Sequence, residues 1–139
     1  MQVFTIDVKP SNFKALLSDP KIHRLCLETT SRISKLWQLS DNDALKLLGL
    51  SCDDGFESIQ SMLENYDEPF HLSEVHLTRF SCLLGIFKAL ETLVDNNELA
   101  DQWINLPNDH FSGKHPLDIM LDSYEGLISV KNYLQEICG

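Results

Sequence analysis

Apolar residues return along most of this chain at intervals of three and four, the spacing that gathers them on one side of an α-helix. From Asp19-Pro20, a capping residue followed by a proline suited to a first helical turn, Ile22, Leu25, Cys26, Ile33, Leu36 and Trp37 form such a stripe, reaching about Leu39. Ser40 opens an S-x-x-D pattern with Asp43 and predicts a compact capped helix carrying Ala44, Leu45, Leu47 and Leu48, closed by Gly49. Ser51 repeats the pattern with Asp54 ahead of Phe56, Ile59, Met62 and Leu63. Two short capped helices separated by about three residues make a helix-turn-helix candidate.

Between Tyr66 and His71 the periodicity fails around Pro69, which predicts a loop. Ser73 caps the longest predicted helix, on which Leu77, Phe80, Leu83, Leu84, Phe87, Leu90 and Leu93 line one wide face of the core. Asp95-Asn96-Asn97 ends it and caps a helix holding Leu99, Ala100, Trp103 and Ile104. That helix stops at Leu106-Pro107, because a residue before proline is pushed out of the α region. Gly113 sits where a tight turn needs positive φ, and Pro116 fits the first position of a helix starting near His115. Asp122 and Ser123 start the last helix, with Leu127, Val130, Leu134 and Ile137 on its buried side. In the loop Asn108 to Lys114, Phe111 has no helical neighbour, so it either plugs the core or meets a partner.

Strand-like alternation is confined to Phe4, Ile6 and Val8, read as an extended arm or as a strand pairing with its copy in a second subunit. A short helix with Phe13, Leu16 and Leu17 follows. The fold class is therefore all-α, a multi-helix bundle. With 139 residues the chain can bury a core without staples.

Charge changes the functional picture. Formal net charge is −10, which repels phosphate and makes nucleic acid a poor first choice of partner. Up to Lys46 the chain is slightly basic; from Leu47 to Thr78 it carries no lysine or arginine, while Asp53, Asp54, Glu57, Glu64, Asp67, Glu68 and Glu74 accumulate. The second helix of the helix-turn-helix candidate thus offers Gln60 and Asn65 to base edges, but amid carboxylates. Arg32 and Lys35 on the preceding helix are the remaining candidates for DNA contact.

Cys26, Cys52, Cys82 and Cys138 are dispersed, and no signal-peptide succession opens the chain, which reads as cytoplasmic with free thiols. No apolar run is long enough to span a membrane. The histidines show no metal-ligand spacing, so no metal or other cofactor is expected. His110 and His115, with Asp109 and Asp118 near, lack a nucleophile, a phosphate loop or an oxyanion site, and no enzyme is read here.

One longer pattern carries more. Trp103-Ile104-x-x-Pro107-Asn108-x-x-Phe111-x-Gly113-x-x-Pro116-Leu117-Asp118, then Gly126-Leu127-x-x-Val130-x-x-Tyr133-Leu134 and Gly139, resemble the toxin-binding domain of Xre/MbcA/ParS antitoxins. LSEVHLTRFSCLLGIFKAL is similar to that family's central helix, and LWQLSDNDALKLLGLS to its Xre-type helix-turn-helix. The resemblance divides the chain into an arm and short helix (1–18), a helix-turn-helix region (19–70) and a toxin-binding domain (71–139). It implies an antitoxin, a homodimer, silencing a RES-domain toxin that degrades NAD, with Trp103, Pro107, Asn108, Phe111, Gly113, Pro116, Asp118, Gly126, Tyr133 and Gly139 in the toxin-binding part. The acidic recognition helix departs from the family pattern, which counts against DNA binding. The alternative is a stand-alone helix-turn-helix regulator whose C-terminal domain dimerises.

Overall fold

The computed structural model describes residues 19–51, 57–64 and 72–138. The expected arm and short helix at 1–18, the loop from Tyr66, and the site candidates Asn65 and Gly139 lie outside the described residues.

The fold is all-α, as the periodicity predicts. Helix α1 (Pro20–Leu36) starts where Asp19 accepts a hydrogen bond from the Lys21 N–H at 2.9 Å, with Pro20 in its first turn. Inside it, Thr30 Oγ1 donates to the Cys26 carbonyl and Ser34 Oγ to the Thr30 carbonyl, so these hydroxyls need no outside partner. At its end the N–H of Leu39 reaches the Ser34 carbonyl and that of Gln38 the Lys35 carbonyl, which places Gln38 at φ 57.

Helix α2 (Asp41–Leu47) is capped by Ser40, whose side chain accepts from the Asp43 N–H, and it closes in the same way with Gly49 at φ 80. Helix α3 (Ile59–Glu64) starts after Ser58, whose hydroxyl accepts from the Ser61 N–H at 3.0 Å; of the expected cap pattern of Ser51 with Asp54 and Phe56, the last two fall outside the described residues.

Helix α4 (Glu74–Leu93) is the longest described element and the centre of the molecule. At its start the Ser73 N–H donates to Nδ1 of His76, a histidine standing where a capping box usually has glutamate. Its buried residues, among them Leu77, Phe80, Leu83, Ile86, Phe87 and Leu90, occupy more than one side, because neighbours flank it on several faces. Helix α5 (Asn97–Gln102) is capped by Asn96 and tightens into a 3-10 turn, Trp103–Asn105, before Leu106 turns extended ahead of Pro107. Helix α6 (Pro116–Asp122) and helix α7 (Tyr124–Cys138) meet at the single residue Ser123.

Helix α7 runs beside α4 in the same direction. Arg79 lies over Tyr124, Gly85 faces Lys131 and Gln135, and the Cys138 thiol approaches the Ala89 carbonyl. One hydrophobic core runs from Cys26 on α1 to Leu134 on α7, with Trp37 against Phe87 at a ring-centroid distance of 6.0 Å. Each fully buried leucine in it, such as Leu27, Leu83 or Leu127, contributes about 2 kcal/mol. His23 on α1 is buried as well, and its Nδ1 accepts the Leu72 N–H at 3.2 Å. Two residues expected inside are not: Leu36, at the end of the α1 stripe, and Ile137, on the last turn of α7. Among the described residues no helix is long and apolar enough to cross a membrane.

Candidate functional site

The expected toxin-binding residues from Trp103 to Asp118 lie in the connection between α5 and α7, and Gly126 and Tyr133 lie on α7 itself. Asn108 ties the loop from 108 to 114 into a closed unit. Its N–H donates to the Lys114 carbonyl, its own carbonyl accepts from Phe111 and Gly113, and its side-chain oxygen accepts the His110 N–H at 2.9 Å. The tight turn this requires puts Ser112 at φ 59 and Gly113 at φ 81. Pro107 ends the helix before the loop and buried Pro116 begins the helix after it, so both fix the direction of the chain.

Phe111 points inward and is buried, which settles its two sequence readings in favour of the core plug. Its ring meets Tyr133 edge-on at 5.4 Å. Tyr133 is the hub: His110 stacks on it at 4.0 Å and Trp103 lies nearly parallel to it at 6.3 Å. His110 is therefore part of an aromatic stack, while His115 stands at the N-cap of α6.

Two candidates serve geometry. Gly126 is pressed against the Ile119 carbonyl group, and its N–H donates to the Ser123 hydroxyl at 2.9 Å. Asp118 is exposed in the first turn of α6, where a carboxylate suits the helix dipole.

Around the stack lies an apolar surface that the periodicity did not flag. Leu99 is 55% exposed one turn before Trp103, Leu106 is 49% exposed just after it, and Ile137 is 52% exposed one turn beyond Tyr133. On helices, residues three and four apart are neighbours, so these side chains extend the half-buried Trp103–Tyr133 pair into a patch. Exposed leucine and isoleucine grouped around aromatic rings are the composition of an interface core.

Residues 89–139 match the family described as the antitoxin Xre/MbcA/ParS C-terminal toxin-binding domain. The chain is also similar to Uncharacterized protein y4oB of Sinorhizobium fredii (strain NBRC 101917 / NGR234), with 36% identity over 109 residues, covering 78% of this chain and 80% of that protein. The chain belongs to the Xre/MbcA/ParS antitoxin family. Its matched antitoxin domain contains the loop, the aromatic stack and the exposed patch together. The domain's description is one of binding another protein, a toxin.

The DNA candidates are placed differently. Lys35 and Gln60 share a shallow groove of about 210 Å³ between α1, α2 and α3, with Ser31, Ser34 and Asp41 in its wall. Arg32 is exposed on the same helix as Lys35. Arg24 is engaged within the fold, pairing with Glu28 at 2.9 Å and reaching the Leu63 carbonyl at 3.5 Å. Among the described residues no three His, Cys, Asp or Glu side chains converge on a metal site.

Proposed function

We propose that this protein is the antitoxin of a type II toxin-antitoxin pair, and that it neutralises a RES-domain, NAD-degrading toxin by covering that toxin's active site. The family match supports a toxin as partner. The observation that carries the mode of contact is the patch of Leu99, Leu106 and Ile137 around Trp103 and Tyr133. Apolar and aromatic side chains at this density supply the anchors of a tight interface. The surface charge of −10 complements a pocket built to hold the phosphates of a dinucleotide, and it steers the antitoxin toward that pocket. Phe111 and Gly126 act from behind, holding the loop and α7 in place.

The test uses Leu106→Glu and Ile137→Glu, alone and together, because both side chains already face solvent. NAD consumption by the RES-type toxin encoded beside the gene is measured with each variant. The double variant is expected to weaken inhibition at least tenfold while its circular dichroism and melting temperature stay unchanged; undiminished inhibition overturns the reading.

A second reading rests on the shared groove of Lys35 and Gln60: a helix-turn-helix regulator, dimerised through its C-terminal part, acting on its own upstream DNA. Asp41 in the same groove opposes a phosphate. Titration of that DNA at low salt with the free chain and with Lys35→Glu separates the readings; tight, Lys35-dependent binding favours the regulator.

A further inference from the structure

A second surface sits where the first turns of α4 and α7 meet. An open pocket of about 370 Å³ is lined by Glu74, Val75, Thr78, Arg79 and Tyr124. Arg79 follows a long run without any cation. Its side chain is held from two sides. Its guanidinium carbon lies 5.5 Å from the centre of the Tyr124 ring, and its Cδ and Nε pass so near Gly49 that a Cβ there would stand 3.0 Å from each.

That Nε is buried, and among the described residues it has no hydrogen-bond partner. Nor does the guanidinium pair with Glu74, although both line the pocket. Thr78 is occupied, its hydroxyl donating to the Glu74 carbonyl at 2.8 Å. A guanidinium held over an aromatic ring in the wall of an open pocket, with no ion pair among the described residues, is arranged for a ligand from outside.

We infer that this pocket docks an acidic residue of a partner protein, its carboxylate on the Arg79 guanidinium and an adjoining apolar side chain against Val75 and Tyr124. The planar fork of a guanidinium matches a carboxylate in two parallel hydrogen bonds. The apolar half of the pocket, with Val75 62% exposed at the mouth, suits a residue flanked by leucine or valine rather than a bare ion. Glu74 at the rim and the overall negative charge discriminate against phosphate, whose two charges they repel more than one. Because the arm is already fixed, little freedom is lost on binding. Tyr124 and Tyr133 are nine positions apart on α7, which at about 3.6 residues per turn puts them on opposite sides of the helix. This pocket thus remains open when the patch around Tyr133 is covered, and its partner binds independently of the proposed toxin contact.

The full-length chain, labelled with nitrogen-15, tests this through the Nε–H resonance of Arg79, which burial from water keeps visible and which Arg79→Lys assigns by deletion. The probes are a blocked peptide with Leu-Asp-Leu at its centre, the same peptide with Leu-Asn-Leu, inorganic phosphate, and added unlabelled chain. A saturating shift of Nε–H and of the Val75, Thr78 and Tyr124 amides with the Asp peptide is expected at about millimolar concentration, weakened at least tenfold for the Asn peptide. In Arg79→Met the amide shifts are expected to be lost while the melting temperature holds. Absence of a saturable shift, equal response to both peptides, or persistence of the amide shifts in the folded Arg79→Met variant overturns the inference. A stronger response to phosphate, or one produced by the unlabelled chain, also overturns it, in favour of an anion site or self-association. None of these arms involves the toxin, so the outcome leaves the proposed function to its own test.

Discussion

Gly126 lies against the carbonyl group of Ile119 so closely that a Cβ would overlap the oxygen and stand 3.0 Å from the carbon. Backbone therefore meets backbone where α6 turns into α7, and no side chain can yield. Gly126→Ala is expected to cost at least about 3 kcal/mol of stability, since the helices must part to admit the methyl group. Gly113 provides the control. A Cβ there meets nothing, so Gly113→Ala pays only for its φ of 81°, about 1 kcal/mol. Urea denaturation of the two variants measures the difference.

Gln38 occupies the left-handed position that ends α1, the place that Gly49 fills at the end of α2. A side chain there is strained, and its side chain is exposed, so little is lost by removing it. Gln38→Gly is expected to stabilise the protein by roughly 0.5 to 1 kcal/mol, read as a rise in melting temperature.

Burial pushes the Cys26 thiol up to about 12 and raises that of Cys82 as well, whereas Cys138 is exposed at the end of α7. The thiolate is the reacting form. Under native conditions at pH 8, iodoacetamide is expected to modify Cys138 and to leave Cys26 and Cys82 untouched until denaturant is added. Peptide mass spectrometry reads each site.

Burial also raises the Asp101 carboxyl, on α5, above its ordinary value. The folded chain then holds that proton more tightly than the unfolded chain, so the ionised carboxylate weakens the fold at neutral pH. This cost fades as pH falls through the folded pKa toward the unfolded value of about 3.9. Asp101→Asn is expected to raise the melting temperature at pH 7 and to make no difference below that unfolded value, as a pair of thermal scans would show.

Much of this was legible in the residue pattern because it is local. Asp19-Pro20, Ser40, Gly49, Ser73 and Asn96 end or begin helices by contacts within a few positions, and each does so in the structure. Ser58 gave no such signal at the start of α3, because it exchanges hydrogen bonds with Ser61, a pairing outside the S-x-x-D pattern. Ile137 was misread. It follows Leu127, Val130 and Leu134 in spacing, but at about 100° per residue it falls at the edge of their stripe, and it is exposed. The cluster of Trp103, His110, Phe111 and Tyr133 joins residues from a 3-10 turn, a loop and a helix. Their shared pattern pointed to a binding domain, while the hub position of Tyr133 depended on folding. Arg79 gave no signal beyond its isolation among acidic residues.

Side-by-side helices that point the same way cannot be joined by a short hairpin, so everything between α4 and α7 serves as their bridge. The stretch shared with the antitoxin family begins at residue 89, inside α4. An excised peptide starting there would strip the last helix of the rail it rests on, and would be a sequence unit without being a folding unit. Any minimal inhibitor cut from this molecule must carry the whole of α4 with it.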